Sequence, residues 1–206
     1  HYLLRGAGLE VLSEEEQKGL IGEIEVLKLL ISSVGAKAAL ASWMGPSGAP
    51  KDFELQAGCI EVKSRRGASQ PFVKISNEHQ LADISNRYLW LGVLAVDMVQ
   101  PPHGRTLTEY VNDVAELLEQ AEPSIIMDLD LHLAEAGYDV MHDYSPWHWI
   151  ASPPEFYSVI NGFPRINAPV PLGVSNVTYA LALSACDPFK TDWESVHAII
   201  VKDEQE

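Results

Sequence analysis

Residues 52–63, Asp-Phe-Glu-Leu-Gln-Ala-Gly-Cys-Ile-Glu-Val-Lys, restrict the possible folds of this chain more than any other stretch. Two alternating apolar–polar runs flank Ala57-Gly58, where glycine accepts the positive φ of a tight turn, so the segment reads as a β-hairpin. With Ala57 and Gly58 as a two-residue loop, Phe53, Leu55, Ile60 and Val62 share one face and need a core against it. The opposite face carries Asp52, Glu54, Glu61 and Lys63, with Asp52 across from Lys63 and diagonal to Glu61. A register slip of two residues preserves these faces. A slip of one would bury the charges and is disfavoured.

Three carboxylates on one pleated face repel one another, by roughly 3 kcal/mol per pair at ~5 Å and an effective dielectric of about 20. A single lysine does not offset that. A hard divalent cation does, and Mg²⁺ is typically held by one or two carboxylates with water and substrate phosphate. The alternative, on these residues alone, is a solvated face with one Asp52–Lys63 salt bridge worth ~0–1 kcal/mol. Both readings stand at this level.

A chain of 206 residues suits one domain, or a core with an extension, and its composition is that of a globular protein. The net charge of −15 argues against indiscriminate binding to polyanions. The charge is uneven: residues 1–104 hold 10 basic and 12 acidic side chains, residues 105–206 hold 4 and 17. Phosphate should therefore meet the first half, where Lys63, Arg65, Arg66 and Lys74 crowd beyond the hairpin. Cys59 and Cys186 have neither zinc spacing nor a disulfide pattern, which fits a reducing cytosol. No signal peptide or membrane-spanning run is apparent, so a cytoplasmic location is expected.

Ser13 followed by Glu16 forms a capping box that opens a helix, with Leu20, Ile24, Leu27 and Ile31 at helical spacing and Gly35 as its stop. Glu23 lies within that apolar stripe, where a carboxylate needs a partner or a task; local pairing with Lys28 or Arg5 is the simpler account. Ala39–Trp43 reads as a short strand before the Gly45-Pro46-Ser47-Gly48 loop. After the hairpin, Ser64–Pro71 is a polar loop and Phe72–Ile75 a short strand. Asn77 and Gln80 form a second capping-box pattern, opening a helix to about Ser85 in which Gln80 reaches back to the Asn77 backbone. Tyr88–Val99, nearly all apolar, reads as a strand buried on both faces.

Beyond Pro101-Pro102, Thr106 or Thr108 caps a helix to about Glu119, and Pro123-Ser124 starts another ending near Gly137. Phe156–Val159, Gly162–Ile166, Val177–Leu183 and His197–Val201 read as strands, and the tail from Asp203 as frayed. His142 and His148 with Asp139 and Asp143 lack the spacing of a zinc site. Trp147 and Trp149 read as packing residues.

Glu23, Asp52, Glu61-Val62-Lys63 and Gln80, in the order helix, three strands, helix, strand, together resemble the PD-(D/E)XK nuclease superfamily. Gly19–Glu23, Trp43–Pro46, Asp52-Phe53, Glu61–Ser64, Gln80-Leu81, Gly162–Ile166 and Gly173-Val174 are similar to one sparsely characterised branch, associated with restriction and phage-defence gene sets. The likeness spans most of the chain, although Lys51 rather than proline precedes Asp52.

The resemblance implies an α/β restriction-endonuclease-like αβββαβ core with a mixed sheet over residues 1–104. An acidic helix-and-strand extension, residues 105–206, would pack on the same domain. It implies a DNA endonuclease using Mg²⁺ or Mn²⁺ held by Asp52, Glu61 and the Val62 carbonyl, with Glu23 reaching in from the helix. Lys63 would orient the attacking water and contact phosphate, and Gln80 would position Lys63 or a phosphate. Arg65, Arg66 and Lys74 would make further phosphate contacts. A homodimer or a defence-system partner subunit would permit cutting of both strands. The alternative is a catalytically silent nuclease fold that binds nucleic acid or a protein.

Overall fold

The computed structural model describes residues 10–67, 71–166 and 170–203; Arg5, part of the Ser64–Pro71 loop and residues 204–206 of the tail lie outside that set. Helix α1 (Glu14–Val34) opens on Ser13, whose hydroxyl accepts from the Glu16 N–H while the Glu16 carboxylate accepts from the Ser13 N–H. This is the reciprocal cap read from the sequence. Gly35 ends the helix at φ 84°, a conformation costly for any residue with a Cβ.

The chain then enters a second helix, α2 (Ala36–Ser42), instead of the strand expected over Ala39–Trp43. Four of these seven residues are alanine, the best helix former, and propensity prevails over the local apolar run. Trp43 keeps one strand-like contact, an isolated bridge to Phe53.

Strands β1 (Phe53–Glu54) and β2 (Gly58–Arg65) form the hairpin, Phe53 opposite Ile60 and Glu54 opposite Cys59. The loop is Gln56-Ala57, closed by the Leu55 N–H donating to the Gly58 carbonyl at 2.9 Å. The register is thus shifted by two from the one drawn with Ala57-Gly58 as the loop, and the faces survive. Phe53, Leu55, Ile60 and Val62 are all buried in one cluster. Continued by one step, this register sets Asp52 across from Glu61, not Lys63. Gly58 serves close packing, because a Cβ there would lie 2.4 Å from the Tyr88 carbonyl oxygen.

Strand β3 (Phe72–Ile75) leaves the main sheet and pairs with β7 (Tyr179–Ala182) in a two-stranded ribbon. The helix expected from Asn77 is replaced by turns. Asn77 Oδ1 accepts from the His79 N–H, and Gln80 Oε1 from the Ser76 N–H, so both side chains close local turns that compete with a helix. Strand β4 (Tyr88–Val99) then runs parallel to β2, from Gly58 opposite Tyr88 to Arg65 opposite Ala95.

Three strands of the second half complete the mixed sheet. β5 (His148–Ala151) and β6 (Glu155–Ser158) pair antiparallel with β4, and β8 (Lys190–Thr191) with β6. Helix α3 (Leu107–Ala121) has Thr106 and Glu109 as its capping box, and α4 (Ile126–Glu135) follows a turn at Pro123. Gly162–Ile166 is turn and bend, not a strand. After the short α5 (Leu183–Cys186), α6 (Trp193–Asp203) occupies the stretch read as a last strand. Buried Val196 and Ile200, four apart, reveal the helical face that β-branched composition concealed.

One apolar cluster lies between the helices and one face of the sheet and holds Ile60 and Val62; a second, with Cys59, lies under β3 and β7. Side chains alternate along β2, so Glu61 and Lys63 point the same way as Cys59, away from α1. The chain is therefore α/β, a mixed sheet with helices, as in restriction-endonuclease-like folds. No helix of the described residues is long and apolar enough to cross a membrane.

Candidate active site

Because β1 is only two residues long, the edge of β2 beside it is left open, and there α1, the loop before β1 and β2 come together. A cleft of about 470 Å³ opens at this place, lined among others by Glu23, Gly45, Asp52, Lys63 and Lys74. Three of the candidate catalytic residues, Glu23, Asp52 and Lys63, thus line one cleft, and Glu61, which has no exposed surface, pairs with Lys63 behind it.

Trp43 aims Glu23 into the site, its indole N–H donating to Glu23 Oε2 at 2.7 Å. Trp43 is itself clamped by stacking on Phe53 and His132. Asp52 Oδ2 accepts the Val62 N–H at 2.7 Å, which ties the loop to the open edge of β2. Gly45 separates the two acids, since a Cβ there would lie 2.4 Å from Glu23 Oε2 and 3.1 Å from Asp52 Oδ1. Its lack of a side chain lets both carboxylates reach the cleft.

Glu61 has no exposed surface, and Lys63 Nζ stands 2.6 Å from its Oε1. Among the described residues, Lys63 is the one partner that reaches the Glu61 oxygens. Burial, and then the Asp52 charge, push the Glu61 carboxyl up to about 8. Burial and Asp52 also raise Glu23 well above the usual carboxylate range, against the Trp43 hydrogen bond. Asp52 is raised by burial, with Lys63 and the Val62 N–H opposing. Burial works to lower Lys63, but Glu61, Asp52 and Glu23 outweigh it and hold the ammonium protonated. Three acids that resist ionisation around one fixed ammonium mark a deficit of positive charge.

The other candidates are dispersed. Gln80 is bonded to the Ser76 N–H and does not line the cleft. Lys74 lines the cleft, whereas Arg66 borders a separate depression with Lys18 and Asp97, and Arg65 donates to the Gly67 carbonyl.

The roles of two residues escaped the sequence reading. Trp43 holds Glu23 from twenty positions away, a pairing that no local pattern encodes. Lys51, set down as a departure from a motif, is buried, donates to the His79 carbonyl and feels the Glu61 charge.

No three His, Cys, Asp or Glu side chains among the described residues are gathered as a group able to hold a metal ion. This applies to His142 and His148, and equally to Glu23, Asp52 and Glu61. Glu23 comes from the α1 side of the sheet, while Glu61 points to the other. The donors nonetheless suit a hard divalent cation, being carboxylate oxygens, and apart from the Lys63 ammonium the sealed Glu61 oxygens have no partner among the described residues.

A family model described as "Putative PD-(D/E)XK family member, (DUF4420)" matches residues 1–184, most of the chain. The chain belongs to this family. No curated protein and no solved structure matches it. Membership in DUF4420 suggests a nuclease, hence a hydrolase with a nucleic-acid substrate, and PD-(D/E)XK nucleases generally use divalent metals. The matched residues include every element that lines the cleft.

Proposed function

We propose that this protein is a divalent-metal-dependent DNA endonuclease acting in restriction or phage defence. The observation that carries the reading is the Glu61–Lys63 pair on β2, with Asp52 and Glu23 converging at the same cleft. A deficit of positive charge there is what a metal-dependent site has before its cation arrives, and the cation is then what attracts the anionic phosphodiester.

Asp52, Glu61 and the Val62 carbonyl, with Glu23 alongside, would hold Mg²⁺ or Mn²⁺, whose charge acidifies a water and offsets the charge that develops on the phosphate. Lys63, kept as an ammonium by its acidic neighbours, donates from Nζ to a phosphate oxygen and orients the water. Trp43 keeps Glu23 turned inward, and the Val62 N–H keeps Asp52 at the strand edge. Lys74 meets the incoming phosphate chain on the cleft wall. Cutting both strands requires two such sites, through a homodimer or a partner subunit.

Plasmid nicking in Mg²⁺ and Mn²⁺ tests the reading, with Glu61→Ala and Lys63→Ala checked for folding by circular dichroism. Nicking by the wild type that is lost in both variants is expected. Equal residual cutting by all three proteins would assign the activity to a contaminant. Binding of DNA with no metal-stimulated cutting would leave only a nuclease fold used for recognition.

A further inference from the structure

Strand β3 alternates strictly. Val73 and Ile75 are buried, while Phe72 and Lys74 point outward. Across the ribbon they face Ala182 and Ala180, both exposed. The outward surface is therefore one aromatic ring, one ammonium and two methyl groups, and nothing bulky stands beside the ring on β7. Phe72 is 41% exposed and, with Lys74, lines the same cleft as Asp52 and Lys63. A single exposed phenylalanine is ordinary on a protein surface. One two residues from a lysine, on the wall of a cleft that holds the candidate catalytic groups, has a placement that calls for a ligand.

Charge selects the ligand and its path. Glu15 and Glu16 stand on the α1 wall of the cleft with Lys18, which pairs with Glu15, and Glu23 and Asp52 lie between the walls. Lys63 and Lys74 stand on the strand side, so a phosphate chain is favoured along the ribbon over the α1 wall. An open aromatic face beside a cation is the arrangement that stacks a nucleobase and contacts its phosphate. Bases within a duplex are already stacked on one another and do not offer that face.

We propose that the β3–β7 ribbon guides single-stranded nucleic acid into the cleft, one base stacking on Phe72 and its phosphate meeting Lys74. This rests on the cleft being a nucleic-acid site and narrows the substrate to unpaired strands, such as ends, flaps or melted stretches.

Fluorescence anisotropy with a labelled oligothymidylate and a labelled duplex, both in EDTA, tests it without any cleavage. Wild type should bind the single strand more tightly. Phe72→Ala should weaken single-strand binding by about 5- to 150-fold, the range for losing one stacked base, and Phe72→Trp should restore it. Lys74→Ala should weaken both ligands alike and reduce the salt slope by about one. Thermal melts verify that these surface variants fold.

Equal affinity for the duplex, an unchanged Phe72→Ala, or no binding at all overturns the ribbon's role. Metal-dependent nicking is measured on the same preparations. Cutting retained with an indifferent Phe72 sinks the single-strand path alone; single-strand binding with no cutting of either plasmid or oligothymidylate in Mg²⁺ or Mn²⁺ sinks the nuclease reading alone.

Discussion

Lys63 Nζ lies 2.6 Å from Oε1 of Glu61, a carboxylate with no exposed surface. Two residues apart on one strand, they share a face of β2, and the short β1 leaves them an open flank at Asp52. Burying the pair beside two further acids is expensive unless a cation joins them.

Glu61→Gln removes a buried charge while keeping the shape of the side chain. Metal-free Glu61→Gln should therefore melt above the wild type at pH 8, by about 2–4 °C for each kcal/mol of relief. It should also lose metal-dependent nicking. Gain of stability with loss of activity is the signature of a strained functional site. Scanning calorimetry beside the nicking assay checks both halves, and a Glu61→Gln protein that melts lower and still cuts would refute them.

The pH dependence of stability follows from the same acids. Glu61 is pushed up to about 8, and Glu23 and Asp52 are raised as well. The folded protein therefore keeps protons that the unfolded chain releases at ordinary carboxylate values. Stability of the metal-free protein should fall as pH rises from about 4.5 through about 8, where Glu61 ionises. The raised Lys63 contributes stability below its unfolded pKa and loses it only above that, outside this window. Urea melts across the range in EDTA provide the check. Adding Mn²⁺ should flatten the slope, because the metal binds the ionised carboxylates.

Trp43→Phe keeps a ring in the stack with Phe53 and His132 but removes the donor to Glu23 Oε2. Leaving that oxygen unpaired should cost about 1–3 kcal/mol, read as a lower urea midpoint with unchanged slope. Nicking should fall as Glu23 loses its orientation. Stability equal to the wild type would mean that Glu23 finds another partner.

How much of this was legible beforehand depended on how local each determinant is. The α1 cap, its Gly35 stop and the β2 face were visible because Ser13–Glu16 and the alternation from Phe53 to Val62 act within a few residues. Strand β4 was visible from its apolar run, with the same bounds. The register was harder to read, because Gly58 suits both a turn and the close approach of Tyr88, and only packing decides between them. Helix α2 and the turns at Asn77–Leu81 were misread for opposite reasons, alanine propensity in one and competing side-chain bonds in the other. In α6, a run of β-branched residues hid a helical spacing that packing reveals. Of the candidate site, Glu23, Asp52, Glu61 and Lys63 were proposed from one recognisable order of residues. Trp43, Lys51 and the ribbon formed by β3 and β7 depend on contacts across long stretches of chain.

Gly45→Ala would place a methyl group 2.4 Å from Glu23 Oε2 and 3.1 Å from Asp52 Oδ1. One or both carboxylates must swing away, so metal affinity and nicking should fall by about 10- to 100-fold, and pulling Glu23 Oε2 off the Trp43 donor should lower the melting temperature as Trp43→Phe does. Unaltered Mn²⁺ affinity in this variant would show that the two acids do not bind the ion together.

The most direct test is calorimetric titration of Mn²⁺ into the metal-free protein at pH 7.5, in two buffers of different ionisation enthalpy. The account predicts a site in the wild type that is lost in Asp52→Asn. Binding should release protons, seen as a buffer-dependent heat, because Glu61 must ionise to take the ion. No Mn²⁺ binding, or binding that neither Asp52→Asn nor the buffer alters, would contradict it.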